Sequence, residues 1–325
     1  MVDSNFYVPF FNVYYIFYFI TSICFQFLLI YLITRKSPAT LDSLKCYLYN
    51  TCITQIFLIC VAFFSQHRTL TNKDTCAVLV LGPSRYFGAW FSFCCYHIFM
   101  GLSLCAGLAI SITVLFRFLV LVQNQVTQLQ NYIMIGCTYI APIILMIIPF
   151  TSPWDFPSVR NATTIEHPTY NLSIYEPYPG FADVHSFQFL SATLILCIGA
   201  YGIPLVCFFL TRKVLVLIRY HSHMSEKTKK QAQTLVRGLM VQSVLPCISY
   251  IPTFTSYVYT QYFGHELLLS EHLILASSSF PGLIDPFISF YFIVPYRQAI
   301  LEVICYKRKR ATVFNLTVTS TSGMQ

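Results

Sequence analysis

Seven long apolar stretches dominate this chain: Tyr7–Thr34, Leu44–Gln66, Gly88–Val122, Tyr132–Thr151, Phe187–Leu210, Leu235–Tyr262 and His272–Val294. Each holds about 20 residues or more, and at 1.5 Å per helical residue that length crosses a ~30 Å hydrocarbon core. The last stretch is the least apolar, because Ser277, Ser278, Ser279 and Asp285 interrupt it; Leu273–Ala276 and Phe287–Val294 sustain it on either side. The expected fold is an all-α membrane protein, a seven-transmembrane-helix bundle over residues 1–296 with a tail at 297–325. Composition agrees, since only 10% of residues are charged, against roughly 25% in soluble domains. The 30 Phe and 23 Tyr suit lipid-facing and interfacial surfaces.

The net charge of +8 would suggest nucleic acid if it formed one patch on a soluble fold. Its distribution points to the membrane instead. With the N-terminus outside, 16 Lys and Arg fall on the inner side and four (Arg68, Lys73, Arg85, Arg160) on the outer side. Short-loop Lys/Arg excess faces the cytoplasm, so an outside N-terminus and an inside C-terminus are expected. The start Met1-Val2-Asp3-Ser4 lacks the basic region of a cleaved signal, so the first stretch is expected to remain as helix one. Two sequons, at Asn161 and Asn171, fall in the long loop after helix four, which this topology places outside as glycosylation sites. The sequon at Asn315 falls inside and should stay bare.

All of the 13 cysteines except Cys76 and Cys305 lie in the apolar stretches, where Cys acts as a small hydrophobe. No spacing resembles a metal site, His221-Ser-His223 reads as a solvated pair, and no cofactor is expected. Cys76 either pairs with Cys94 or Cys95 or stays free. The loop Ser152–Ser186 carries five prolines and is expected to be irregular but stiff, fit to cap a cavity.

On the inner side, Arg219, Lys227, Lys229, Lys230 and Arg237 flank helices five and six. The three lysines near the helix start oppose its dipole. Topological anchoring and a docking surface for a cytosolic protein both account for them. After Tyr296 the chain reads as an amphipathic helix lying on membrane lipid, with Cys305 either palmitoylated or unmodified, before a disordered tail.

An ionisable group in hydrocarbon is costly and usually functional. Asp285 is placed roughly 20 Å deep on helix seven, level with Asn50 and Thr54 on helix two, which are expected to hydrogen-bond it. Pro286 removes a backbone hydrogen bond beside it and leaves a carbonyl free. Arg117 reads as a side chain snorkelling to the headgroups. Pro142, Pro149, Pro204, Pro246 and Pro252 interrupt helices four to six, so the inner ends are expected to swing.

The words "RKSPATL", "LGPSRYFG", "LFRFLVL", "MSEKTKKQAQTLVRGLMVQSVLP" and "LIDPFISFYFIVPYR" resemble the nematode serpentine chemoreceptors of the Str superfamily, most closely class delta, Srd. The resemblance implies a sensory receptor, G-protein-coupled, at the plasma membrane of chemosensory neurons, in their cilia. Phe116 stands where many receptors carry an acid before the helix-three arginine, and Ser289 where a tyrosine often follows the helix-seven proline. Asn50 and Asp285 stand exchanged relative to the common receptor pattern. Under this reading Tyr96, His97, Met100, Tyr257 and Ser278 line an outer cavity for a small neutral ligand, since these outer halves lack a carboxylate or ammonium. Asn50, Thr54, Arg117, Pro246, Asp285 and Pro286 form the switch. Bundle packing is the ordinary alternative for each. The competing function is a ligand-gated cation channel or transporter, against which stand the charge bias and the single intramembrane acid. An enzyme finds no motif: no HExxH, no carboxylate pair, no phosphate loop.

Overall fold

The computed structural model describes residues 5–37, 42–123, 126–151, 153–220, 226–263 and 268–304. Among these residues, seven helical segments are long and apolar enough to cross a membrane. The first four are α1 (Val8–Lys36), α2 (Asp42–Ser65), α3 (Ala89–Gln123) and α4 (Gln128–Ile147). A helix of the connecting loop, α5 (Phe156–Glu166), follows. The fifth span is α6 (Phe187–Cys197), a π-helical turn at Ile198–Gly202, and α7 (Ile203–Tyr220). The sixth is α8 (Glu226–Phe263), and the seventh is split into α9 (Leu268–Ser279) and α10 (Pro281–Phe292).

Local chemistry explains where these ends differ from the hydropathy boundaries. Span four begins at Gln128 rather than Tyr132 because Thr127 and Gln130 form a capping box, each side chain bonding the other's backbone N–H. Spans five and six run on to Tyr220 and from Glu226, past the apolar limits at Leu210 and Leu235. Span seven starts at Leu268 rather than His272, which brings the buried Glu271 into the helix. Its interruption falls at Phe280, ahead of Pro281, while Pro286 sits inside α10. A proline lacks the N–H that would continue the helix, so the chain breaks at the first of the two.

The expected irregular loop is instead part of a folded cap. Strands β1 (His67–Thr71) and β2 (Cys76–Val80) form an antiparallel hairpin, and β3 (Gly180–Phe181) adds to β2 in antiparallel register. Asn72 closes the hairpin, its backbone N–H donating to the Thr75 carbonyl and its side chain to the Thr75 hydroxyl. Ala77 through Val80 are fully buried, as expected of an apolar strand covered on both faces. At Gly180 a Cβ would lie 2.4 Å from the Cys76 carbonyl oxygen, so only glycine allows this approach of β3.

The bundle therefore has a capped end and a basic end. At the basic end Arg212, Lys213, Arg219, Lys230, Arg237 and Arg297 are all exposed. Helical backbone over 294–304 continues there after span seven, with Tyr296 and Ala299 buried in a core of Leu32, Ile33, Tyr47 and Phe116. Leu301, Val303 and Ile304 stay exposed, the pattern of a helix lying on lipid.

Candidate functional site

Beneath the cap lies a cavity of about 950 Å³, its open mouth included, enclosed by spans three to seven and closed above by Thr69 and Phe181. Tyr96, His97, Met100 and Tyr257 line it together. On α3 they sit at i, i+1 and i+4, one helical face. Ser278 is not among the lining residues; Ile274, one turn earlier, holds that wall, and the Ser278 hydroxyl donates back to the Ile274 carbonyl at 2.7 Å. The sequence reading also missed Tyr250 and Phe254 on α8 and the π-helical Gly199 and Ala200. Tyr250, Phe254 and Tyr257 recur at helical spacing and were visible as a face; the π-helical turn carries no sequence signal. Such turns are frequent at functional sites. An aromatic cluster supports the roof: Phe93 packs edge-on against His97 at 4.4 Å, Trp154 at 4.9 Å and Phe181 at 5.0 Å.

An ion pair joins the cap to span seven. The Arg68 Nε and Nη2 atoms donate to Glu271 Oε2 at 2.9 and 2.7 Å, and Nη1 donates to the Tyr175 hydroxyl at 2.7 Å. Both side chains are buried. Burial alone would depress the Arg68 pKa; the Glu271 charge and Tyr175 outweigh it and hold the guanidinium above its usual range. Glu271 corrects the expectation that these outer halves hold no carboxylate, yet it does not line the cavity and Arg68 neutralises it. Nearby, burial lowers the His67 pKa to about 3, against the smaller opposing effect of the Ser92 carbonyl. Cys76 is a free thiol, as are all cysteines among the described residues. It receives the Tyr257 hydroxyl at 3.9 Å, and burial pushes its pKa up to about 12.

Deeper in the bundle lies a polar layer. Asp285 is buried, as expected, but its partner is Gln242 of α8, whose amide donates to Asp285 Oδ1 at 2.6 Å and to the Ser289 hydroxyl at 3.2 Å. Asn50 and Thr54 do not hold it. Asn50 Oδ1 accepts from the Tyr139 hydroxyl, and the Thr54 hydroxyl returns to the Asn50 carbonyl. The reason is rotation: it is Thr51, one residue beyond Asn50 and about 100° round the helix, that lines the small space beside Asp285, with Cys52 next to it.

The broken seventh span is tied to α1. Pro286 cannot donate to the carbonyl of Gly282, and Gln26 Nε2 donates there instead at 2.9 Å while also reaching Gln55 at 2.6 Å. Tyr18 donates to the Ser279 carbonyl at 2.8 Å and Tyr14 to that of Ala276 at 3.2 Å. Tyr14, Tyr18 and Gln26 fall on one four-residue stripe of α1, so one face of that helix carries the donors that satisfy the carbonyls around the break.

Residues 11–302 match the family model described as Serpentine type 7TM GPCR chemoreceptor Srd. The chain is 62% identical over 321 residues to serpentine receptor class delta-59 of Caenorhabditis elegans, covering 99% of this chain and 98% of that one. Serpentine receptor class delta-50 of the same organism is 30% identical over 300 residues, 88% of each chain. The chain belongs to the Srd family of serpentine chemoreceptors. It is thus a multi-pass membrane protein of a receptor family rather than of an enzyme family.

The basic end of this Srd chain departs from the wider receptor pattern. Phe116 is buried and stacks on Tyr47 at 4.6 Å, and the Tyr47 hydroxyl donates to Asn131 at 2.8 Å. Arg117 is half-buried, with Nε and Nη2 shielded and unpartnered among the described residues, so it lies against the bundle rather than snorkelling freely. Arg219, Lys230 and Arg237 are exposed. Lys227 and Lys229 stand on the first turns of α8, but their side chains, like the Pro246 ring, lie outside what the structure describes, as does Cys305. At the capped end Asn161 is exposed on α5, and Asn171 is exposed with its Oδ1 accepting from the Ser173 hydroxyl at 2.6 Å.

Proposed function

We propose that this Srd chain is a G-protein-coupled chemosensory receptor whose capped end faces outward at the plasma membrane of sensory-neuron cilia. A small neutral ligand would occupy the capped cavity, touching Tyr96, His97, Met100 and Tyr257. The observation that carries the reading is that α8 belongs to both sites: Tyr250, Phe254 and Tyr257 line the cavity, and Gln242 holds Asp285. Tyr250 and Gln242 are eight residues apart, about 12 Å along the helix. Span seven likewise carries Ile274 at the cavity and Asp285 below its break. A ligand that binds one arrangement of α8 and span seven more tightly shifts the population of the other.

The part that changes would be Asp285, Pro286, Pro246 and Arg117, with Gln242 added, with Asn50 bracing α2 against Tyr139 of α4 and with Thr54 bonded back within α2. A heterotrimeric G protein would meet Arg219, Lys227, Lys229, Lys230 and Arg237, with the 294–304 helix on membrane lipid and Cys305 lipidated behind it. Glycans at Asn161 and Asn171 would mark the outer face.

The test is a second-messenger assay in cells expressing the full chain, against a panel of neutral odorants and charged amines. G-protein-dependent responses to neutral compounds, lost when Ala200→Phe fills the cavity, support the reading. Ligand-evoked current in cells lacking G proteins would establish the channel instead, and equal responses to charged amines would contradict the neutral-ligand assignment.

A further inference from the structure

The cavity wall is apolar over most of its area, through residues such as Met100, Leu104, Phe189 and Ile203. Among the described residues, no Asp, Glu, Lys or Arg lines it. A charged ligand would therefore be desolvated without a counter-charge, which costs far more than burial of a neutral molecule. Arg68 and Glu271 cannot supply one, because each is committed to the other.

Polar side chains are nevertheless present. Tyr96 and His97 are buried, 8% and 3% exposed, and both line the cavity. His97 Nε2 has no hydrogen-bond partner among the described residues, and the Tyr96 hydroxyl belongs to the same cavity wall. Thr193, half-buried on α6, lines the cavity as well. Tyr250 makes only a long contact of 3.5 Å to the Ser103 carbonyl. Buried polar groups in folded proteins are normally paired, and each unpaired one calls for a reason. Hydroxyls and a neutral imidazole share one capacity that an apolar molecule can use with a single atom: each can donate a proton to an oxygen acceptor.

Resting on the assignment of this cavity as the ligand site, we propose that the ligand is a hydrocarbon frame bearing one uncharged acceptor oxygen, of the ketone or ester class. Its oxygen is held by the Tyr96 hydroxyl together with His97 or Thr193, and its frame lies against Met100, Leu104 and Ile203. A site built to hydrogen-bond a ligand group rejects the analogue that lacks it, because its own polar groups are then left unpaired.

The test uses the full chain in lipid nanodiscs, with the neutral apolar fluorophore 1-aminoanthracene as the bound probe. It is displaced by n-alkanes, 2-ketones, methyl esters, alkylammonium ions and alkanoates of matched chain length. Ketones or esters should displace it at concentrations about tenfold below the matched alkane, with both ions weakest. Tyr96→Phe should narrow the ketone-to-alkane ratio by about threefold or more. Thr193→Val and His97→Phe provide the same comparison for the second donor. Equal displacement by alkane and ketone, or a ratio unmoved in all three variants, overturns the acceptor-oxygen assignment. Ala200→Phe, or Ala192→Phe if the first does not fold, separates the two claims. If probe and ketone still bind a filled cavity, the cavity itself is not the site; if filling abolishes binding while alkane and ketone were equal, only the oxygen assignment fails.

Discussion

Removing one partner of the Arg68–Glu271 pair should destabilise the receptor more than removing both. Arg68 is 1% exposed and Glu271 6%, and the guanidinium meets one carboxylate oxygen through two donors at 2.9 and 2.7 Å. Glu271→Gln leaves a buried guanidinium facing a neutral amide, and Arg68→Met leaves a buried carboxylate. Losing one member of a buried pair costs about 3–5 kcal/mol, whereas replacing both by apolar residues of similar volume is often close to neutral. Tyr175 and Asn5 still accept from Arg68 Nη1 in Glu271→Gln, which favours the lower end, about 3 kcal/mol. At roughly 2–4 °C per kcal/mol the melting temperature should fall by about 10 °C. In Arg68→Met/Glu271→Met it should recover to within a few degrees of the parent. The assay is thermal unfolding in nanodiscs followed by a thiol-reactive dye, since Cys52, Cys76, Cys105 and Cys207 are buried until the bundle opens. A Glu271→Gln protein melting within about 2 °C of the parent, or a double variant losing the sum of the singles, would refute the argument.

Gln26→Leu strands the Gly282 carbonyl and should cost about 1–2 kcal/mol; Pro286→Ala in the same chain returns an N–H to that carbonyl and should recover most of the loss, and an unchanged melting curve for Gln26→Leu would count against the tie between α1 and span seven. His67, whose pKa burial lowers to about 3, binds a proton in the unfolded chain from pH ~6.5 downward and in the folded one only near 3. Stability is therefore intact above pH ~6.5 and falls as pH drops toward 3. His67→Gln should flatten the decline of melting temperature between pH 7.5 and 5, and an identical slope would contradict this. Asn161→Gln and Asn171→Gln should each remove one glycosidase-sensitive band shift, while Asn315→Gln should change nothing; the reverse pattern would invert the topology.

Length and hydropathy made the seven spans legible, because a bilayer admits few alternatives to a 20-residue apolar helix. The cap was not, for physical reasons. β1 and β2 have five residues each and β3 two, too short for a periodic signal, although the run Cys76–Val80 between polar turns is a strand signature. Hydropathy also stops span seven at His272 and so leaves Glu271 in a loop, whereas its charge is tolerated inside because Arg68 meets it. The depth of Asp285 followed from counting residues, but its partner depended on the rotation of α2 and α8, which sequence does not set. The carbonyl freed by Pro286 was foreseeable, and so was the four-residue stripe on α1 that answers it; which helix supplied the donors was not. Tyr96, His97 and Met100 were legible as one face of α3, while Ser278 is turned back onto its own helix, its hydroxyl donating to the carbonyl of Ile274, which holds that wall instead.

The central claim is that the capped cavity communicates with the basic end through the Gln242–Asp285 contact. The direct measurement is the second-messenger response of Asp285→Ala beside the parent chain, at matched surface abundance and with probe displacement at the cavity measured in parallel. The account predicts that binding persists while the ligand-dependent response is abolished or locked at a fixed level. A normal, ligand-graded response from Asp285→Ala would contradict it.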